Sequence, residues 1–180
     1  MSAPPPSIPP FHDGDLKPAA PTATARASVA ASSDHEAILD DILRARDDND
    51  PRLDSAFNSL PPETRLRFQR KYRALPPESR NQRGTIVYLL GKNLSSAEDW
   101  AFLREVAAEP PCLSLGDCSK ASADGGDSGD GVTLAYPALV ALKQAERLLS
   151  SSRTEALSVA RAGKASRVPA VAEAASRLDP

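Results

Sequence analysis

The chain has 180 residues and a formal net charge of -2, with 41% apolar, 26% charged and only 4% aromatic side chains. That length suits one domain with room for a tail, and so small a net charge excludes a global field able to gather nucleic acid or anionic lipid. No segment approaches the roughly 20 apolar residues of a membrane span, and β-branched residues nowhere alternate over a strand's length, so the composition points to an all-α fold.

Residues 1–32 read as a disordered tail rich in Pro, Ala and Ser. Pro4, Pro5, Pro6, Pro9, Pro10, Pro18 and Pro21 stand among small residues, and such a segment buries too little apolar surface to offset its ordering entropy. It is a spacer in one reading. In another, Pro6 to Pro9 form a P-x-x-P ligand for an SH3- or WW-like groove. A helical domain is expected over 33–178. Ser33 and Glu36 are spaced as a capping box, and Ile38, Leu39, Ile42 and Leu43 make the apolar stripe of a first helix. Its outer face is acidic, with Asp40, Asp41, Asp47 and Asp48, and Asn49-Asp50-Pro51 ends it. A short helix carrying Leu53, Phe57 and Leu60 follows.

Leu60-Pro61-Pro62-Glu63-Thr64-Arg65 returns almost unchanged as Leu75-Pro76-Pro77-Glu78-Ser79-Arg80. Each copy is expected to start a helix. The residue before proline is held extended, proline is tolerated in the first turn, and glutamate complements the helix dipole. Between the copies, Phe68, Tyr72 and Leu75 share a face. The chain is then organised around Arg80 to Pro111, read as two helices with a tight link. The first ends on Thr85 to Leu90 with Gly91 as its C-cap. The second opens on a Ser95/Glu98 capping box, carries the stripe Trp100, Leu103, Val106 and Ala107, and stops at Pro110-Pro111. Residues 110–131 form an irregular loop rich in Cys, Gly and Asp. Helix resumes near Val132, with Tyr136-Pro137 as a first turn or a kink and Leu139, Leu142, Ala145 and Leu149 inward. Ser152 and Glu155 suggest a further capping box before a helix closing near Gly163. Pro169 to Leu178 is a last, alanine-rich helix with Val168, Val171, Ala175 and Leu178 expected on its inner face.

The stretch 83–109, RGTIVYLLGKNLSSAEDWAFLREVAAE, resembles bacterial HEAT-repeat-like α-solenoid proteins, as the second helix of one unit passing into the first helix of the next. The long loop after Pro110 departs from the usual unit length. The resemblance implies a short stack of antiparallel helix hairpins that scaffolds a protein partner, with no catalytic centre and no cofactor.

Chemistry-bearing residues are few. Cys112 and Cys118 share one loop with no histidine near, which is a poor start for zinc. They are free thiols, a disulfide contributing on the order of 2 kcal/mol, or a redox switch. Lys120 is the sole basic neighbour in sequence that would favour a thiolate. Asp124, Asp127 and Asp130 offer clustered oxygens to calcium, but the order of an EF-hand and its closing glutamate are missing, so a solvated loop is the stronger reading. Arg65, Arg67, Arg70, Lys71, Arg73, Arg80 and Arg83 form a basic segment, of which the first five are the candidates to bind a partner, an acidic protein or RNA phosphates. The nearby acidic stretch 34–54 suits pairing between neighbouring helices instead. His12 lies in the tail and His35 in an expected first turn. H-E-x-x-H, phosphate-loop and G-x-S-x-G patterns are absent, so no catalytic residue is expected.

The expectation is a non-enzymatic protein–protein interaction or scaffold module with an unidentified protein partner. The alternatives are a nucleic-acid-associated protein using the Arg-rich helix 61–83, or an envelope-tethered helical domain with a disulfide-closed loop. The N-terminus lacks a basic start followed by an apolar core, so a cytoplasmic location is the default. The periplasm or cell envelope is the alternative if an upstream segment is missing.

Overall fold

A computed structural model of the chain describes residues 23–121 and 130–180, and every regular element in them is helical. The P-x-x-P stretch, His12, Asp124 and Asp127 lie outside the described residues. In chain order the helices are α1 (Ala23–Ala45), α2 (Arg52–Ser55), α3 (Pro62–Ala74), α4 (Arg80–Lys92), α5 (Ala97–Ala107), α6 (Asp130–Leu134), α7 (Tyr136–Arg147), α8 (Arg153–Lys164) and α9 (Pro169–Leu178).

Three pairs of helices stack side by side. The pairs are α3 with α4, α5 with α7, and α8 with α9. Along one side α4, α7 and α9 lie against one another in turn, and along the other α5 lies against α8. Side chains join α3 to α5: the Tyr72 and Phe102 rings meet edge to face at 5.1 Å, and Arg65 reaches Asp99. Helix α1 covers the open flank of α3. One apolar cluster runs through the stack from Leu39 and Ile42 in α1, through Phe68, Ile86 and Leu103, to Leu142, Val159 and Val171. No helix among the described residues is long and apolar enough to cross a membrane.

Several expected boundaries move, each for a local reason. Helix α1 starts well before Ser33, because the alanine-rich run from Ala23 has high helical propensity and needs no cap at Ser33 to begin. His35 is therefore not a first-turn residue; its ring lies 5.9 Å from that of Phe57. The capping box before α5 is one residue later than expected. Ser96 Oγ accepts the Asp99 N–H, and Asp99 accepts the Ser96 N–H at 3.0 Å. Ser152 precedes α8 without any side-chain cap bond.

Gly91 is no C-cap, since it lies inside α4, buried against α7. A Cβ there would fall 2.2 Å from Gln144 Cγ, and one on Gly84 would fall 2.2 Å from the Tyr136 ring. These two glycines let α4 and α7 approach closely. Asn93 closes α4 instead. Its amide donates to the carbonyls of Leu89 and Phe57, and its oxygen accepts the Leu60 N–H. Tyr136-Pro137 is the first turn of α7.

The two Leu-Pro-Pro-Glu copies differ. The first starts α3 at Pro62. The second forms a turn, closed by the Ser79 N–H on the Pro76 carbonyl at 2.9 Å, and α4 begins only at Arg80. Its glutamate faces another segment, and that difference positions the site.

Candidate functional site

The connection between α5 and α6 leaves the stack at Glu109 and rises over the Pro76–Ser79 turn. Cys112 and Cys118 are joined by a disulfide, with their Cα atoms 4.2 Å apart. Inside the ring so closed, the Leu113 N–H donates to the Cys118 carbonyl at 3.1 Å. Ser114 Oγ donates to the Asp117 carbonyl at 2.8 Å and accepts the Asp117 N–H. The Asp117 carboxylate accepts from the N–H and hydroxyl of Ser119 and pairs with Lys120 at 3.0 Å. The ring is thus fixed by a covalent bond and by short-range polar bonds, which lowers its conformational freedom before any partner arrives.

Two side chains from the second proline copy dock this ring on the stack. Glu78 Oε1 accepts the Cys118 N–H at 2.8 Å. That backbone donor holds the Glu78 carboxyl below its ordinary value. Arg80 spreads its guanidinium over the other side, with Nη2 donating to the Leu115 carbonyl at 3.0 Å and Nη1 lying 3.4 Å from Cys112 Sγ. Leu113 and Leu115, held by this framework, remain 46% and 47% exposed.

The root of the loop is anchored by a half-buried polar cluster. Glu109 Oε1 accepts from the Tyr72 hydroxyl at 2.9 Å and from Arg83 Nη2 at 2.7 Å. The Arg83 guanidinium lies over the Tyr72 ring at 4.1 Å, a favourable placement of a cation on a π-face. Burial pushes the Glu109 carboxyl up and, with the nearby Glu109 charge, keeps Tyr72 protonated. The cleft beside it, lined by Arg80, Arg83, Glu109, Pro111 and Cys112, encloses only about 40 Å³. That is room for a water or two and not for a substrate.

The other sequence candidates are distributed differently. Arg65 is 7% exposed and serves the interior, donating to the Leu60 carbonyl and to Asp99. It therefore belongs to no partner-binding surface. Arg67 pairs with Glu36 at 2.9 Å and Lys71 with Asp40, both across to α1. Arg73 grips both oxygens of Glu105 at 2.8 and 2.6 Å. Arg70 reaches the carbonyl of Leu66 on its own helix. Of the three calcium candidates Asp130 alone falls in a described element, at the start of α6, and no metal-holding group of His, Cys, Asp or Glu occurs among the described residues.

Sequence reading singled out the two cysteines, placed Arg80 and Arg83 in a basic segment and Glu78 at a helix start without tying any of them to the cysteines, and passed over Glu109. The repeated Leu-Pro-Pro-Glu was the available signal, because two like turns in different places need not do the same work. No family model matches the chain, and no match is found among curated proteins or solved structures.

Proposed function

We propose that this chain is a non-enzymatic protein-interaction module, a short HEAT-like stack whose disulfide-braced loop makes the contact. The observation that carries this reading is the pair Leu113 and Leu115, about half exposed on a ring that is closed covalently and docked by Glu78 and Arg80. Apolar side chains on a preorganised loop lose little entropy when a partner covers them. The partner is a protein offering an apolar pocket to the two leucines. The bridge itself favours an oxidising compartment, such as the periplasm or cell envelope.

The nucleic-acid alternative rested on the Arg-rich helix. Pairing of Arg67, Lys71 and Arg73 with carboxylates leaves that helix little uncompensated charge for phosphates. The experiment compares wild type with the Leu113→Ser/Leu115→Ser variant. Each carries a photo-crosslinker at Ser119, and capture is scored in the native compartment at low and high salt. Crosslinks that need the leucines and persist at high salt support the module. Capture of RNA or DNA that disappears as salt rises, with the leucines irrelevant, overturns it.

A further inference from the structure

We infer that the Cys112–Cys118 bridge is a thiol-exchange switch in which Arg80 makes the Cys112 sulfur the leaving group, so that an incoming thiol attacks Cys118 and opens the covalently closed ring. One guanidinium distinguishes the two sulfurs. Arg80 Nη1 lies 3.4 Å from Cys112 Sγ, and the uncharged Ser114 carbonyl oxygen lies 3.0 Å from the same sulfur. Cys118 has Glu78 on its backbone N–H at 2.8 Å, and among the described residues no guanidinium or ammonium bonds to its sulfur. The nearest lysine in sequence, Lys120, is already paired with Asp117. Both cysteines are half-buried, so neither is sealed from a small thiol.

Thiol–disulfide exchange runs fastest through the sulfur whose partner departs as the better-stabilised thiolate. A guanidinium beside a sulfur favours the thiolate. The attacking thiolate therefore forms its new S–S bond to Cys118, the Cys112–Cys118 bond breaks, and the electron pair remains on Cys112 beside Arg80. With a dithiol as reductant, its second thiolate attacks its own sulfur in the mixed disulfide. That closes the reductant's disulfide and expels the Cys118 thiolate, which takes a proton. The protein gains two electrons and one proton, the proton on Cys118; the dithiol loses two electrons and two protons, the second proton going to solvent. Without the bridge, Glu78 on Cys118 and Arg80 on Leu115 are the docking bonds that remain to the ring.

The experiment uses the full oxidised chain and does not depend on any binding partner, so it stands or falls apart from the interaction reading. The protein is exposed briefly to glutathione, quenched with N-ethylmaleimide and mapped by peptide mass spectrometry. Glutathione is expected on Cys118 and maleimide on Cys112, in preference to the reverse by on the order of tenfold. Arg80→Lys should retain most of that bias, and Arg80→Gln should bring the two products toward equal amounts. A merely structural Arg80 would change the overall reactivity but not the choice of sulfur. Equal labelling in the wild type, a bias that survives Arg80→Gln, or two free thiols in the protein before glutathione is added would each overturn the inference.

Discussion

Glu78 links a single ionisation to the position of the loop. Its carboxylate accepts the Cys118 N–H at 2.8 Å, and this bond holds its folded value below the ordinary 4.5. A carboxyl whose folded value is depressed favours the folded, docked form fully above its unfolded value and loses that contribution as pH falls through the folded one. The Cys118 amide proton shift, followed by NMR, should therefore titrate with a midpoint below 4.5 and stop titrating in Glu78→Gln. A midpoint at or above 4.5 would show that the bond does not form in solution. Glu109 runs in the opposite sense, since burial raises its value. What it contributes is present in acid and lost as pH rises through the raised value, and the Arg83 guanidinium at 2.7 Å offsets that loss. None of these partners is near the other in the chain. Arg80 and Cys112 are brought together only by the way the α3–α4 link meets the α5–α6 link, so a reader of local sequence sees Lys120 as the sole cation and judges a redox role weak. The Cys112/Cys118 pair was legible as a pair; the charge that distinguishes its two sulfurs was not.

At the level of elements, periodicity was a good guide and terminal chemistry a poor one. Stripes such as Leu39, Ile42 and Leu43, or Trp100, Leu103 and Val106, end up in the core as their spacing implies. Caps failed because the rules for them are local while the outcome is tertiary. Gly91 has the position of a helix terminator, yet α4 runs through it and Asn93 finishes the helix by bonding to Phe57 and Leu60 across the fold. This gives a test in which two effects oppose. Replacing glycine by alanine at an open helical position stabilises by about 1 kcal/mol. At Gly91 the added Cβ would sit 2.2 Å from Gln144 Cγ and 2.7 Å from its Cβ, and overpacking of this kind costs about 1–3 kcal/mol. Gly91→Ala should therefore lower the denaturation midpoint. Adding Gln144→Ala should recover part of the loss, because the buried Gln144 Oε1 has no hydrogen-bond partner whose loss would count against the change. If Gly91→Ala proves stabilising, α4 and α7 are farther apart than described.

For the whole molecule, the open question is whether three stacked helix pairs behave as separable units or as one. Long repeat arrays lose cooperativity, because each unit touches only its neighbours. Here the middle pair touches both ends: α7 lies against α4 and α9, and α5 against α8. The apolar cluster has no break between α1 and α9. One cooperative transition is expected, so the burial signal of Trp100 on α5 and the far-ultraviolet helical signal should share a midpoint. Leu142→Ala is the sharper probe. This side chain is 2% exposed on α7 and lies against Gly163 of α8, so its truncation opens a cavity between two pairs. A loss of about 2–5 kcal/mol is expected, with both signals moving together. Reducing the bridge should act differently. It removes about 2 kcal/mol of loop-closure constraint, yet the ring lies outside the apolar cluster, so the helical signal at ambient temperature should not change. Two separated midpoints in the wild type would mean that the pairs melt one by one and that α7 does not tie them. A reduced protein without helical signal would mean that the loop supports the stack, whereas an unchanged signal leaves the stack as a stable base that does not depend on the bridge.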